Sequence, residues 1–152
     1  MKHNWIHKYL SDDDILTIQQ EIADVEKFTS GQIRLSIRDK RTLVEKLHKP
    51  HELAVKDFEK LGMANTKHKT GVLLFIIFSE RFYDILADEG IHPKISLSTW
   101  NGLELKLKEE FRKENYLNGI IHIIKNMGDI LKQEYPKEAD DTNELRDDVV
   151  VN

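Results

Sequence analysis

Asp88 and Glu89 stand side by side immediately before Gly90. Two adjacent carboxylates at a glycine turn are hard oxygen donors, the ligand type that Ca²⁺ and Mg²⁺ take. Two other stretches share this character: Thr29-Ser30-Gly31-Gln32 and Lys69-Thr70-Gly71 carry hydroxyls, a carboxamide and glycines that leave backbone carbonyls open. If the three stretches meet, the chemistry predicted is divalent-cation binding at Asp88, Glu89 and Gln32. Separate glycine hinges with solvated acids would leave the same residues on the page, so both readings stay open at this point. His68 and His92 fall within three residues of these stretches and are secondary candidates as a further ligand or a general acid. Asp84 is a more peripheral carboxylate.

Whether the stretches meet depends on the elements that carry them. Val72 to Phe78 is an unbroken apolar run bounded by Gly71 and Ser79, the pattern of a strand buried on both faces. The Ser79-Glu80-Arg81 turn returns the chain as an antiparallel strand over 82–87, which ends at Asp88. Ile33, Leu35 and Ile37 alternate with Arg34, Ser36 and Arg38, predicting a half-buried strand over 32–38. A helix from Ser11, with Asp12, Asp13 and Asp14 in its first turn, precedes that strand. It is expected to end at Thr29-Ser30-Gly31, with the glycine as a left-handed cap. A second helix runs from Pro50 to Gly62 and joins strand 32–38 to strand 71–78, which makes those two parallel. Both then start at the sheet edge where strand 82–87 ends, and the three donor stretches converge there.

The remaining pattern is helical. Trp100, Leu103, Leu107 and Phe111 mark one helix, and Leu117, Ile120, Ile124, Met127 and Leu131 another that Pro136 ends. Trp5 and Tyr9 are expected to pack as a staple ahead of the first helix. Residues 39–49 show no clear period and read as a polar loop. The fold class is therefore α/β with a mixed sheet.

Bulk properties narrow the function. Among 152 residues there is no cysteine, which excludes disulfides and thiolate metal sites. No apolar leader precedes Ser11, and seven apolar residues fall far short of the roughly 20 that a membrane helix needs. A cytoplasmic chain without direct membrane insertion is expected. The whole net charge of −4 sits in residues 136–152, where six acids face Lys137 and Arg146. A neutral body with an acidic tail offers no footprint for nucleic acid. Seven histidines raise zinc, but His48 and His51 flank Pro50 without a matching acidic ligand. No Walker loop, Cys-x5-Arg loop or Asp-x-Asp-x-Thr motif supports phosphoryl transfer.

Five stretches in order resemble the TPM domain family: Thr29 to Arg34, Leu61 to Met63, Thr66 to Ile76, Asp88 to Ile91, and Asn143 to Val150. The likeness spans about residues 10–150. It implies a three-layer α/β sandwich with a small central mixed sheet between helices. It also implies relatives among plant thylakoid-lumen proteins linked to photosystem II repair and an animal modulator of acetylcholine receptors. Divalent-cation binding and a weak acid phosphatase activity are associated with some of them. Gln32 stands where relatives usually carry Glu, and the missing carboxylate should weaken a cation site.

Residues 1–136 are expected to form one TPM-like α/β domain. Residues 137–152 are expected as an acidic tail docked on it through Leu145 and the terminal valines, with Asp148, and secondarily Asp147, turned toward a cation. The function expected first is a non-enzymatic, Ca²⁺- or Mg²⁺-binding interaction domain. Its protein partner is unidentified, membrane-associated TPM proteins included. A metal-dependent phosphatase using the same acids, and a structural adaptor with no metal, are the alternatives.

Overall fold

The capping signal at Ser11 works as its residue types require. Ser11 Oγ accepts the Asp14 N–H at 3.0 Å, and Asp14 Oδ2 accepts the Ser11 N–H at 2.9 Å. Helix α1 (Asp12–Glu26) follows, and Ile18, Ile22 and Val25 form its buried face. The computed structural model describes residues 4–138 and 149–152. In chain order the remaining elements are β1 (Gln32–Arg38), α2 (Pro50–Lys60), β2 (Gly71–Ile77), β3 (Phe82–Ala87), α3 (Leu97–Arg112), α4 (Tyr116–Glu134) and β4 (Val149–Val151).

The four strands make one mixed sheet in the order β3-β2-β1-β4. β1 runs parallel to β2 with Gln32 opposite Gly71, and β3 runs antiparallel to β2 with Val72 opposite Ala87. Helices α1, α3 and α4 cover the face that carries Ile33, Leu35, Val72 and Leu74. Helix α2 and the Met63 turn cover the other face, against Leu73, Phe75 and Ile77. The chain is thus a three-layer α/β sandwich, with β2 buried on both sides.

Three features differ from the sequence-based expectation. The predicted three strands are joined by a fourth: β4 lies parallel to β1, with Leu35 opposite Val149 and Ile37 opposite Val151. Three residues are too few to show a period. Residues 143–148, including Leu145, Asp147 and Asp148, lie outside the described residues.

Second, β1 is buried throughout rather than half-buried. Its polar side is covered by acids: Asp57 Oδ2 accepts from Ser36 Oγ at 2.7 Å and from Arg38 Nη2 at 2.8 Å, and Arg38 Nη1 also pairs with Glu45. Partnered charge can be buried where unpartnered charge cannot.

Third, α1 ends at Glu26, and Gly31 does not adopt a left-handed conformation. A Cβ at Gly31 would lie 2.6 Å from Leu131 Cδ2, so this glycine is there for the close approach of α4. Tyr9, in turn, stacks on Phe78 with ring centroids 4.2 Å apart, joining the N-terminal segment to the end of β2.

Candidate functional site

The predicted edge forms through backbone hydrogen bonds. The Gln32 N–H donates to the Thr70 carbonyl at 3.3 Å, the Asp88 N–H to Gly71 at 2.9 Å, and the Gly90 N–H to Lys69 at 2.8 Å. The end of α4 closes the ring. The Ser30 N–H donates to the Tyr135 carbonyl at 3.0 Å, and the Tyr135 hydroxyl donates to the Gly90 carbonyl at 2.6 Å. Strand starts, strand end and helix end thereby hold one another.

At this edge Asp88 Oδ1 accepts the Glu89 N–H at 2.8 Å, a local turn bond that orients the carboxylate. The Asp88 carbonyl accepts the N–H groups of Ile91 and His92 at 3.0 and 2.9 Å. Asp88 Oδ2 is buried and, among the described residues, has no hydrogen-bond partner. Two hydroxyl oxygens of the adjoining segments share that condition: Thr70 Oγ1 and Ser30 Oγ. Buried polar atoms nearly always have partners, and these three oxygens lie on segments that meet at one edge. Glu89 is exposed beside them.

The other candidates are placed less favourably. Gln32 brings its backbone to the edge, but its Oε1 accepts from Arg34 Nη2 at 3.1 Å and its side chain is buried. A carboxamide oxygen already facing a guanidinium is a poor metal ligand. His68 Nε2 lies 3.2 Å from Glu138 Oε1, and its ring stacks on Tyr135. His92 packs against Trp100 with centroids 5.5 Å apart. Asp84 sits opposite Phe75 in mid-strand and holds His51 Nδ1 at 2.5 Å. Four residues separate it from Asp88, roughly 13 Å along a strand, so it belongs to the α2 face rather than to the edge. His48 contacts Glu52 and Lys56, apart from His51. Among the described residues no group of three His, Asp or Glu converges as a ready ligand set. Ca²⁺ takes six to eight oxygens and its affinity follows ligand charge. The described edge carries oxygen donors, of which only Asp88 and Glu89 are charged.

One surface feature was not predicted. Leu43, Val44 and Leu47 are exposed within five residues, in the segment read as a polar loop. The signal was available in their spacing around the short helical turn Glu45–Leu47, but Arg41, Lys46 and Lys49 masked it. Three large apolar side chains so close together are the kind of patch that marks a protein contact. Among the described residues no helix is long and apolar enough to cross a membrane.

Comparison with known proteins gives three findings. The family model for the TPM domain matches residues 6–130. The solved BA42 protein of the psychrophilic bacterium Bizionia argentinensis is 26% identical, with a TM-score of 0.82 over 95% of this chain and 96% of that one. The N-terminal domain of the cg2496 protein of Corynebacterium glutamicum is 15% identical, with a TM-score of 0.59 over 80% of this chain and 74% of that one, a likeness of fold alone. No curated protein matches.

Proposed function

The chain belongs to the TPM domain family, and we propose that it acts as a divalent-cation-binding interaction module rather than an enzyme. The observation that carries this reading is the orphaned, buried Asp88 Oδ2 at a sheet edge whose neighbouring segments add two more unpartnered oxygens. Leaving a carboxylate oxygen out of water without a partner is costly, and a bound Ca²⁺ or Mg²⁺ offsets that cost. Asp88 would be the direct ligand and Glu89 the second carboxylate; Asp147 and Asp148 lie outside the described residues. Gln32 would shape the edge through Arg34 rather than ligate. Binding there would stiffen the junction of β1, β2, β3 and α4. The partner itself would meet the exposed Leu43, Val44 and Leu47.

Catalysis is the weaker reading. A phosphatase needs a nucleophile or metal-bound hydroxide with a free acid beside it. His68 is held by Glu138 and Tyr135, and His92 lies against Trp100.

Titration with Ca²⁺ and with Mg²⁺, followed by calorimetry and amide NMR shifts, tests the proposal. In Asp88→Asn the Oδ1 acceptor for Glu89 N–H remains, so stability should change by less than about 0.5 kcal/mol. Cation affinity should fall at least tenfold, roughly 1.4 kcal/mol. Identical titration curves for mutant and parent would remove Asp88 from the site. Turnover of a generic phosphate ester that disappears in Asp88→Asn would replace the interaction module with the phosphatase.

A further inference from the structure

A second site lies at the other end of β2, about seven residues and roughly 23 Å from the Asp88 turn. There the β2–β3 turn faces the corner between α3 and α4 across a cleft of about 660 Å³, within the size range of small-molecule sites. Its floor is aromatic. Tyr9 stacks on Phe78, Phe111 lies 5.9 Å from Phe78, and Tyr83 and Tyr116 meet Phe111 edge-on at 4.7 and 5.1 Å. Burial raises the pKa of the Tyr9, Tyr83 and Tyr116 phenols, so all three remain neutral donors at pH 7.

The rim is cationic. Arg81, Lys108 and Arg112 line the cleft with one acid, Glu114. Asp39 acts on Tyr9 from nearby. Among the described residues none of the three cations pairs with a carboxylate. Their neighbours do: Lys106 holds Glu110 at 3.1 Å, and Arg41 holds Glu80 at 2.8 Å. Three cations against Glu114 and Asp39 leave the rim net positive.

Only three described non-glycine residues have positive φ, and two of them, Arg81 at 52° and Glu114 at 63°, line the cleft. Glycine would adopt those conformations at less cost. Both are turn positions: the Arg81 N–H donates to the Phe78 carbonyl at 3.1 Å in the hairpin turn, and Glu114 follows α3 where the Asn115 N–H returns to the Glu110 carbonyl at 2.8 Å.

We propose that this cleft binds a small organic anion that joins a planar aromatic ring to a phosphate group, the chemistry of a nucleoside monophosphate. The ring lies against the partly exposed Tyr9, Tyr83 and Tyr116, which the buried Phe78 and Phe111 support from beneath. The phosphate meets Arg81, Lys108 and Arg112, whose forked guanidinium groups and ammonium suit a dianion better than a single carboxylate would. A nucleic-acid strand is disfavoured because residues 1–135 carry no net charge to guide a polymer backbone. The site is separate from the cation-binding edge and does not depend on it.

The test uses the full chain in the presence of a chelator, titrated with AMP, GMP, CMP and UMP by calorimetry and amide NMR. At least one should bind saturably, shifting amides over 78–83 and 111–116. Adenosine and inorganic phosphate alone should each bind at least tenfold more weakly than the bound monophosphate. Arg81→Gly separates binding from folding. Glycine accepts the positive φ, so melting should stay level or rise while affinity falls at least tenfold. Arg112→Gln should weaken binding to a similar extent. The proposal is overturned by no saturable shift with any of the four, by shifts confined to other regions, or by unchanged affinity in Arg81→Gly. Tighter binding of a short single-stranded RNA than of every monophosphate would also overturn it.

Discussion

Gly90→Ala is expected to destabilise the protein by roughly 3 kcal/mol, at the upper end of what overpacking usually costs. A Cβ at this position would lie 2.1 Å from the His68 carbonyl oxygen and 2.4 Å from that of Lys69. Both are backbone atoms, so no side-chain rotation relieves the clash. Relief requires moving the 66–70 segment away from the turn, which breaks the 2.8 Å bond from Gly90 N–H to the Lys69 carbonyl. It also displaces the Tyr135 hydroxyl that donates to the Gly90 carbonyl. Gly102→Ala is the control: nothing lies within 4 Å of its Cβ position, and it sits in the exposed interior of α3. There the added methyl should stabilise by about 0.5–1 kcal/mol through helix propensity alone. Urea unfolding of the two variants, compared at equal m-values, reads the difference. A loss below about 1 kcal/mol in Gly90→Ala would mean that the edge is looser than its hydrogen bonds indicate.

The convergence of the three donor stretches was legible because each step rested on a strong local signal. The apolar run from Val72, the turn at Ser79 and the parallel crossover through α2 left one arrangement of strand ends. What the residues could not reveal was orientation. Gln32 and Asp88 share the edge, yet one carboxamide oxygen is claimed by Arg34 two residues away, while one carboxylate oxygen is left open. The burial of Arg34, Ser36 and Arg38 was hidden for a related reason. Alternation marks polar positions as solvent-facing, and the acids that cover Ser36 and Arg38 come from elsewhere: Asp57 in α2, 21 and 19 residues later, and Glu45 in the intervening segment. Gly31 misled because glycine marks a left-handed turn and a close approach alike. The aromatic-cationic cleft gave no signal at all, since Tyr9, Phe78, Arg81, Phe111 and Tyr116 come from separate stretches that only the packed sheet brings together.

Glu26→Ala should cost more than any surface change, about 3–5 kcal/mol, because it breaks a buried ion pair from one side. Glu26 closes α1, and its Oε2 accepts from Arg34 Nη1 at 2.8 Å while also accepting the Ile33 N–H at 2.8 Å. Arg34 is 1% exposed and Glu26 7%, so water cannot readily take over either bond. Removing the carboxylate weakens the compensation of a guanidinium in the sheet interior and leaves the Ile33 amide without this acceptor. Glu26→Gln keeps a neutral acceptor of the same shape, so it should lose less than Ala. Denaturant unfolding of both variants orders the two effects. Because Arg34 also holds Gln32, the Ala variant should perturb amide shifts at Gln32 and at Thr70, whose carbonyl accepts the Gln32 N–H. Equal stability of Glu26→Ala and the parent would show that the Arg34 charge is compensated without Glu26. A large loss with shifts confined to α1 would mean that the pair anchors the helix without ordering the edge. The expected pattern, loss of stability together with shifts at Gln32 and Thr70, makes the buried Arg34 the link between the sheet interior and the edge that carries Asp88.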